Sequence, residues 1–114
     1  MPASTITVNE IRRRLDVSDR RFFPGGTLAV AAGDYTNGTG LVLDLAGLHA
    51  GKGLIERVEA WSETSGYTYR VVIGGTNATH HLRIFSGATE LSSAATPAGV
   101  VADTIYFRAT RFKG

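Results

Sequence analysis

The sequence of 114 residues contains no cysteine. This absence excludes disulfide bonds, thiolate nucleophiles and cysteine-based zinc sites. Long apolar runs are also missing, and no stretch approaches the ~20 residues that a membrane-spanning helix needs. The first residues lack the basic and apolar segments of a secretory signal peptide. We therefore expect synthesis and folding in a cytoplasm, or export by a route that leaves no mark in the sequence.

Charged residues are scarce, at 19% of the chain, whereas 43% of the residues are hydrophobic and 14 are glycine. A chain of this length forms one domain, and it buries roughly two-thirds of the surface that its unfolded form exposes. Few charges, many small residues and short apolar runs favour an all-β domain with much of its surface against another molecule.

The charges that are present lie unevenly along a chain whose formal net charge is +2. Residues 10–21 hold five arginines and three acidic residues, and residues 108–114 hold three basic residues and no acid. The arginines and the adjacent Phe22 and Phe23 could bind nucleic acid by phosphate contacts and stacking. The interleaved acids make docking to an acidic patch on a protein the better interpretation.

The first 26 residues are interpreted as an N-terminal arm and residues 27–114 as the body. Residues 5–8 alternate as a short strand does, and Asn9 can cap a short helix that carries Ile11 and Leu15 on one face. Pro24 and the two glycines after it separate this arm from the body.

The body is predicted to be a succession of short strands joined by glycine turns. Apolar and polar residues alternate with a period of two in most of these segments, as in half-buried strands. The candidate strands are residues 27–32, 41–45, 55–63, 67–73, 79–85 and 103–112, and residues 86–101 form a long loop with a short strand at 90–91. This pattern predicts an antiparallel β-sandwich or a jelly-roll-like barrel with a short N-terminal arm or helix.

No catalytic or cofactor motif is present, and we predict neither an enzyme nor a cofactor or metal site. His80 and His81 would point to opposite faces of a strand, so they cannot chelate one ion together, although the loop residue His49 could approach either one. Glu56, Glu59 and Glu63 do not converge on one face and are interpreted as a solvated strand surface. The sequons that begin at residues 37 and 77 are interpreted as turns.

The order of the body segments resembles that of a known group of proteins. The segments are GLVLDL at 40–45, VEAW at 58–61, YTY at 67–69, LRIF at 82–85 and IYFRAT at 105–110. This order is similar to that of the small β-sandwich capsid cement (decoration) proteins of tailed bacteriophages, over residues 27–112. The resemblance is a pattern of strands and turns, and the N-terminal arm lies outside it.

The resemblance implies a virion protein on the outer surface of the capsid, synthesised in the host cytoplasm, which bridges subunits of the major capsid protein and has no catalytic residues. Copies could also contact one another as dimers or trimers at local symmetry axes. The docking elements would be the arm and the basic C-terminus: Arg12, Arg13, Arg14, Arg20, Arg21, Phe22, Phe23, Arg108, Arg111 and Lys113.

Two other classes of binding function stay open from the sequence. The chain could be a carbohydrate- or receptor-binding module of the phage surface, with a sugar platform of Trp61, Tyr67, Tyr69 and Tyr106. It could instead be a head-completion or tail component that assembles into rings.

Overall fold

A computed structural model describes residues 2–11, 21–22, 25–47, 55–63 and 66–112. These residues form eleven strands and one helical turn. In chain order the elements are β1 (Ile6–Ile11), β2 (Arg21–Phe22), β3 (Gly25–Val30), β4 (Asp34–Tyr35), β5 (Leu41–Leu43), β6 (Ile55–Trp61), β7 (Tyr67–Val72), β8 (His80–Ser86), β9 (Thr89–Glu90), β10 (Ala94–Ala95), α1 (Ala98–Val101) and β11 (Ile105–Phe112). The all-β class and the antiparallel pairing expected from the sequence are confirmed.

The larger sheet is organised around the last strand, β11. One edge of β11 pairs with β3, and the other edge pairs with β6, with Tyr106 opposite Trp61. β1 continues the sheet beyond β3, and β2 pairs with the far end of β11. The close approach of β3 to β11 requires glycine at position 25, because a Cβ there would lie 2.8 Å from the carbonyl oxygen of Phe107.

The pairing of β6 with β11 is interrupted near one end. Thr110 lies opposite Arg57, but the next residue, Arg111, lies opposite Ile55, so that Glu56 is an extra residue on β6. Because of the extra residue in a bulge of this kind, side chains beyond it lie on the opposite face of the sheet from the one that simple alternation predicts. Ile55 is accordingly fully buried, although simple alternation from Arg57 would place it outside.

The second sheet has β8 at its centre. β7 pairs with one edge of β8, while β5 and β9 pair with the other. A small separate sheet joins β4 to β10. The turn into β5 needs glycine at position 40, which has a φ of 78°, in the left-handed region that other residues rarely adopt.

Both sheets contribute their inner faces to one hydrophobic core. The larger sheet supplies Leu28, Val30, Val58, Ile105, Phe107 and Ala109. The second sheet supplies Leu41, Leu43, Tyr69, Leu82 and Ile84. Val100 of α1 adds to this cluster. These residues recur at every second position of their strands, so the period-two pattern of the sequence identified most of the core.

A hydrogen-bonded network fastens β4 to β8 and β9. The buried Tyr35 hydroxyl donates to Glu90 Oε2 at 2.6 Å and accepts from the Ile84 amide at 2.9 Å. Arg83 binds the same carboxylate, with 2.6 Å between Nη2 and Oε1. Desolvation and the bond to Glu90 raise the pKa of Tyr35 to about 12. The bonds from Arg83 and Tyr35 lower the pKa of Glu90 to about 2.

Two local predictions from the sequence need correction. A helix capped by Asn9 is wrong at its start, because β1 continues to Ile11 and pairs with β3 throughout. The rest of that helix lies outside the described residues, and the division of the chain at residue 26 stays a prediction. The stretch 86–101 was expected to be mainly loop, but it contains β9, β10 and the turn of α1. Within the described ranges, no helix is long and apolar enough to cross a membrane.

Candidate binding face

The outer surface of β3, β11 and β6 carries an exposed aromatic pair. Trp61 and Tyr106 are directly opposite on adjacent strands, and their rings stack with centroids 6.1 Å apart and an interplanar angle of 26°. Trp61 is 40% exposed and Tyr106 is 37% exposed, although large aromatic side chains normally contribute most when buried. We call this surface the aromatic face; it comprises Thr27, Arg57, Glu59, Trp61, Tyr106, Arg108 and Thr110.

Charged side chains continue the aromatic face away from the ring pair. Arg108 lies opposite Glu59, and Thr110 lies opposite Arg57, on the next two outward rows of the same strands. Arg57 Nη2 is 3.0 Å from Glu59 Oε1. A groove of roughly 200 Å³ lies among these four residues. The face therefore places an apolar stacking surface beside a set of hydrogen-bonding and charged groups.

The structure places four of the ten predicted docking residues. Arg108 is exposed on the aromatic face. Arg111 pairs with Phe22, and Arg21 pairs with Phe112, so the end of the predicted arm and the C-terminal strand are neighbours in one sheet. Arg12, Arg13, Arg14, Arg20, Phe23 and Lys113 lie outside the described residues.

The structure divides the four aromatic residues of the predicted sugar platform between two environments. Trp61 and Tyr106 are exposed together, whereas Tyr69 is 5% exposed. The Tyr69 hydroxyl donates to Asp103 Oδ2 at 2.7 Å, and the Ser62 hydroxyl donates to Asp103 Oδ1 at the same distance. Tyr67 is half-buried and packs against the core. A platform of all four rings is therefore wrong, because Tyr69 lies in the core, and the two most exposed rings are those of the stacked pair.

The adjacent histidines point to opposite faces of β8, as the sequence predicts. His81 is half-buried, and His80 is fully buried. Nδ1 of His80 accepts a hydrogen bond from the Gly74 amide at 2.9 Å, while Nε2 has no hydrogen-bond partner among the residues that the structure describes. Burial, with a smaller contribution from His81, lowers the pKa of His80. His49 lies outside the described residues, among which no three potential ligands are grouped for a metal ion.

Sequence reasoning did not select Arg57 for the candidate site and treated Glu59 as part of a solvated strand surface. The sequence feature that could have identified Arg57 and Glu59 is the alternation of β6, which places both residues on the outward side with Trp61. The two sequon asparagines are in turns, as expected, and both have structural roles. Asn37 Nδ2 donates to the Leu91 carbonyl at 2.8 Å, and Asn77 Oδ1 accepts from the Ile55 amide at 2.8 Å.

Comparison with known proteins gave no match: no protein-family model, curated protein or solved structure is significantly similar to this chain.

Proposed function

We propose that the chain is a cement protein that binds the outer surface of a bacteriophage head and stabilises contacts between subunits of the major capsid protein. The finer architecture belongs to the same proposal: the two sheets stack as a β-sandwich of the kind found in such proteins. Support for the architecture comes from the single core to which both sheets contribute. The order of strand motifs in the body supports the phage assignment.

The observation that carries the binding role is the composition of the aromatic face. Tryptophan, tyrosine and arginine are the residues that most often dominate the energy of protein–protein interfaces. Here Trp61 and Tyr106 are stacked and exposed, with Arg57 and Arg108 on the same face. The stack fixes both rings in advance, so that the Trp61 and Tyr106 side chains lose little conformational entropy when a partner covers them.

The mechanism is mechanical. A protein that binds the mature lattice, but not separated subunits, stabilises that lattice by mass action. Each copy would cover a junction between capsid subunits with the aromatic face, and the arginines would select acidic surface there. Of the predicted docking elements, Arg108 lies on this face, while Arg21 and Arg111 lie in strands of the same sheet.

The test is binding of the purified protein to bare mature capsids, made from the major capsid protein encoded in the same genome. We expect co-sedimentation and increased resistance of the capsids to heat. Trp61→Ala should weaken binding by at least ~30-fold, equivalent to about 2 kcal/mol at a hot-spot position. Val42→Thr is the matched control, since Val42 is 57% exposed on the other sheet.

Absence of co-sedimentation, with no change in heat resistance, would refute the cement role. Equal losses from Trp61→Ala and Val42→Thr would refute the assignment of binding to the aromatic face. The arrangement of the genes gives a preliminary check, because the proposal expects a major capsid gene beside this one.

A carbohydrate-binding function is the second candidate, and one observation favours it. The groove among Arg57, Glu59, Arg108 and Thr110 adjoins the exposed ring pair. Sugars bind where an apolar ring face lies beside groups that can bond hydroxyls. Binding to a glycan array that is lost in Trp61→Ala, together with no binding to capsids, would establish this function in place of the first.

A further inference from the structure

We propose that Asn37 is a latent site of covalent modification, at which the backbone nitrogen of Gly38 displaces the side-chain amide, and that the Glu90 carboxylate suppresses this reaction in the folded protein. The inference does not depend on the proposed function. It concerns the turn between β4 and β5, whereas the aromatic face lies on β3, β6 and β11.

The first observation is the dipeptide itself. Asn37–Gly38 is the only Asn–Gly pair in the chain, because the other two asparagines precede Glu10 and Ala78. Glycine has no side chain that could hinder the approach of its backbone nitrogen to the preceding residue. Residues 36–39 are exposed, and no atom of the described residues would lie within 4 Å of a Cβ at position 38. Water can therefore reach the turn.

The reaction needs only these two residues and water. The Gly38 nitrogen forms a bond to Cγ of Asn37, the bond from Cγ to Nδ2 breaks, and the former side-chain amide leaves as ammonia with the Gly38 proton. The product is a cyclic imide, a succinimide. Water then opens one of its carbonyl groups, which yields aspartate or isoaspartate at position 37. Because the Gly38 nitrogen must lose its proton, the rate is expected to rise with pH.

The second observation is that three hydrogen bonds restrain the reacting groups. Asn37 Nδ2 donates to the Leu91 carbonyl at 2.8 Å, and the Gly38 amide donates to Glu90 Oε2 at 2.9 Å. The Asn37 amide donates to Ser93 Oγ at 2.9 Å, which fixes the backbone beside them. Ring closure removes both Nδ2 and the Gly38 proton, so the first two bonds must break before the succinimide can form.

The charge of Glu90 adds to this restraint. Arg83 and Tyr35 bind the carboxylate and hold its pKa at about 2, so it is ionised wherever the Gly38 amide could lose a proton. A negative charge that forms on the Gly38 nitrogen would lie within hydrogen-bonding distance of this carboxylate, and a like charge so close disfavours it. A carboxylate with so low a pKa is also too weak a base to remove the proton itself.

The modification is expected to be irreversible in its effect on the turn. A carboxylate at position 37 can only accept hydrogen bonds, so it cannot replace the Nδ2 donor to the Leu91 carbonyl. It also adds a negative charge one residue from the amide that binds Glu90, and the isoaspartate product lengthens the backbone of the turn. A turn that has opened and reacted therefore cannot form its native contacts again.

The test follows Asn37 in the full chain at mildly alkaline pH by peptide mapping and mass spectrometry, with chromatographic separation of the aspartyl and isoaspartyl products. We expect the reaction in urea to be at least about tenfold faster than in the folded protein, the factor that one hydrogen bond to a charged group supplies. Asn77, which precedes Ala78, is the internal control, and it should react much more slowly than Asn37 in urea.

Two variants of Glu90 separate its role from general loss of stability. Glu90→Ala removes both the acceptor and the charge, and it should raise the rate in the folded protein by about tenfold or more. Glu90→Gln keeps an acceptor without the charge and should give a smaller rise. Ile105→Val is the control, because Ile105 is fully buried in β11, in the other sheet, and its truncation destabilises the core.

The variants are compared at the same small unfolded fraction, which urea denaturation measures and added urea adjusts. Asn37 that reacts no faster than Asn77 in urea would overturn the proposal. So would a folded wild type that reacts as fast as the unfolded chain. Rates in both Glu90 variants no higher than in Ile105→Val would overturn the role of the carboxylate, because global unfolding would then account for the reaction.

Discussion

The molecule contains two clusters of the same residue types in opposite environments. In one, the buried Tyr35 binds Glu90, which also binds Arg83. In the other, on the aromatic face, Tyr106 is exposed near Glu59 and Arg57. In the first cluster, tyrosine, glutamate and arginine stabilise the fold because their polar atoms form hydrogen bonds with one another. In the second cluster, the same three residue types face solvent and can contact a partner.

The difference between the clusters follows from which side of its sheet each tyrosine takes. Tyr35 enters the core, so its hydroxyl must find partners inside the protein, and it finds both Glu90 and the Ile84 amide. Tyr106 points outward from β11 and packs on Trp61. An unsatisfied hydroxyl has a high cost only in the first setting.

The largest expected effect is on the buried tyrosine. Tyr35→Phe leaves the Ile84 amide without its acceptor and Glu90 without one donor, so we expect a loss of about 2–3 kcal/mol in the free energy of unfolding. Tyr106→Phe, the same change on the aromatic face, should alter it by less than about 0.5 kcal/mol. Urea denaturation of both variants measures the two changes in the free energy of unfolding. Equal losses in the two variants would contradict the prediction.

The acid response should follow from Glu90. Its pKa is lowered to about 2 in the folded protein from an ordinary value of 4.5, so the stability it contributes is present above pH 4.5 and lost as the pH falls towards 2. Glu90→Gln should be less stable than the wild type at neutral pH and lose less on acidification. Thermal melts between pH 2 and pH 7 would show curves that converge in acid. Glu59→Gln makes the same amide substitution at an exposed glutamate and is the matched control.

His80 should add a separate loss of stability at milder pH. Its lowered pKa means that the unfolded chain takes up a proton more readily, so stability is full above the ordinary value of 6.5 and declines below it. His80→Asn retains an acceptor for the Gly74 amide and does not titrate. It should cost about 1–2 kcal/mol at pH 8, with the difference from the wild type narrowing towards pH 5. In His81→Asn most of the wild-type slope should persist, because burial is the larger cause of the lowered pKa of His80. Complete loss of the slope in that variant would refute the assignment to His80.

The smallest effect is expected at the exposed ion pair. Arg57 and Glu59 are 74% and 54% exposed, and a solvated pair of this kind contributes little. Arg57→Ala should therefore change the free energy of unfolding by less than about 0.5 kcal/mol. Arg83→Ala removes a partner of the more enclosed Glu90 and should destabilise the fold more. Urea denaturation measures the free energy of unfolding of both variants. A larger loss in Arg57→Ala than in Arg83→Ala would contradict the prediction.

Much of the fold was predictable because the strands of the body are regular. The alternation of apolar and polar residues at 105–110 places Ile105, Phe107 and Ala109 on one face and Tyr106 and Arg108 on the other. In the structure the first three are buried and the other two are exposed. The same rule separated Val58 from Glu59 and Trp61. The prediction that was wrong used a different signal. Asn9 was interpreted as a helix cap, but pairing with β3 extends the strand through this residue. A cap residue is a weak local preference, which sheet hydrogen bonds override.

The candidate site was predictable only in part. Trp61 and Tyr106 were expected on strand faces, yet nothing in the sequence places positions 61 and 106 opposite each other. Tyr69 was assigned to the same ligand surface, but it is in the core and bonded to Asp103. Spacing along one strand gives the face on which a side chain lies, whereas contact between strands requires the register.

By itself, the sequence determined the all-β class, the positions of most strands and the side chains that face inward, because these depend on a local period of two. Only the tertiary structure decided that β11 lies between β3 and β6, that Trp61 stacks on Tyr106, and that Arg57 and Glu59 lie on the same outward face as this ring pair. Those features join residues far apart in the chain. Strand order and register arise from the shared core and from backbone hydrogen bonds across the sheet, which no local pattern encodes.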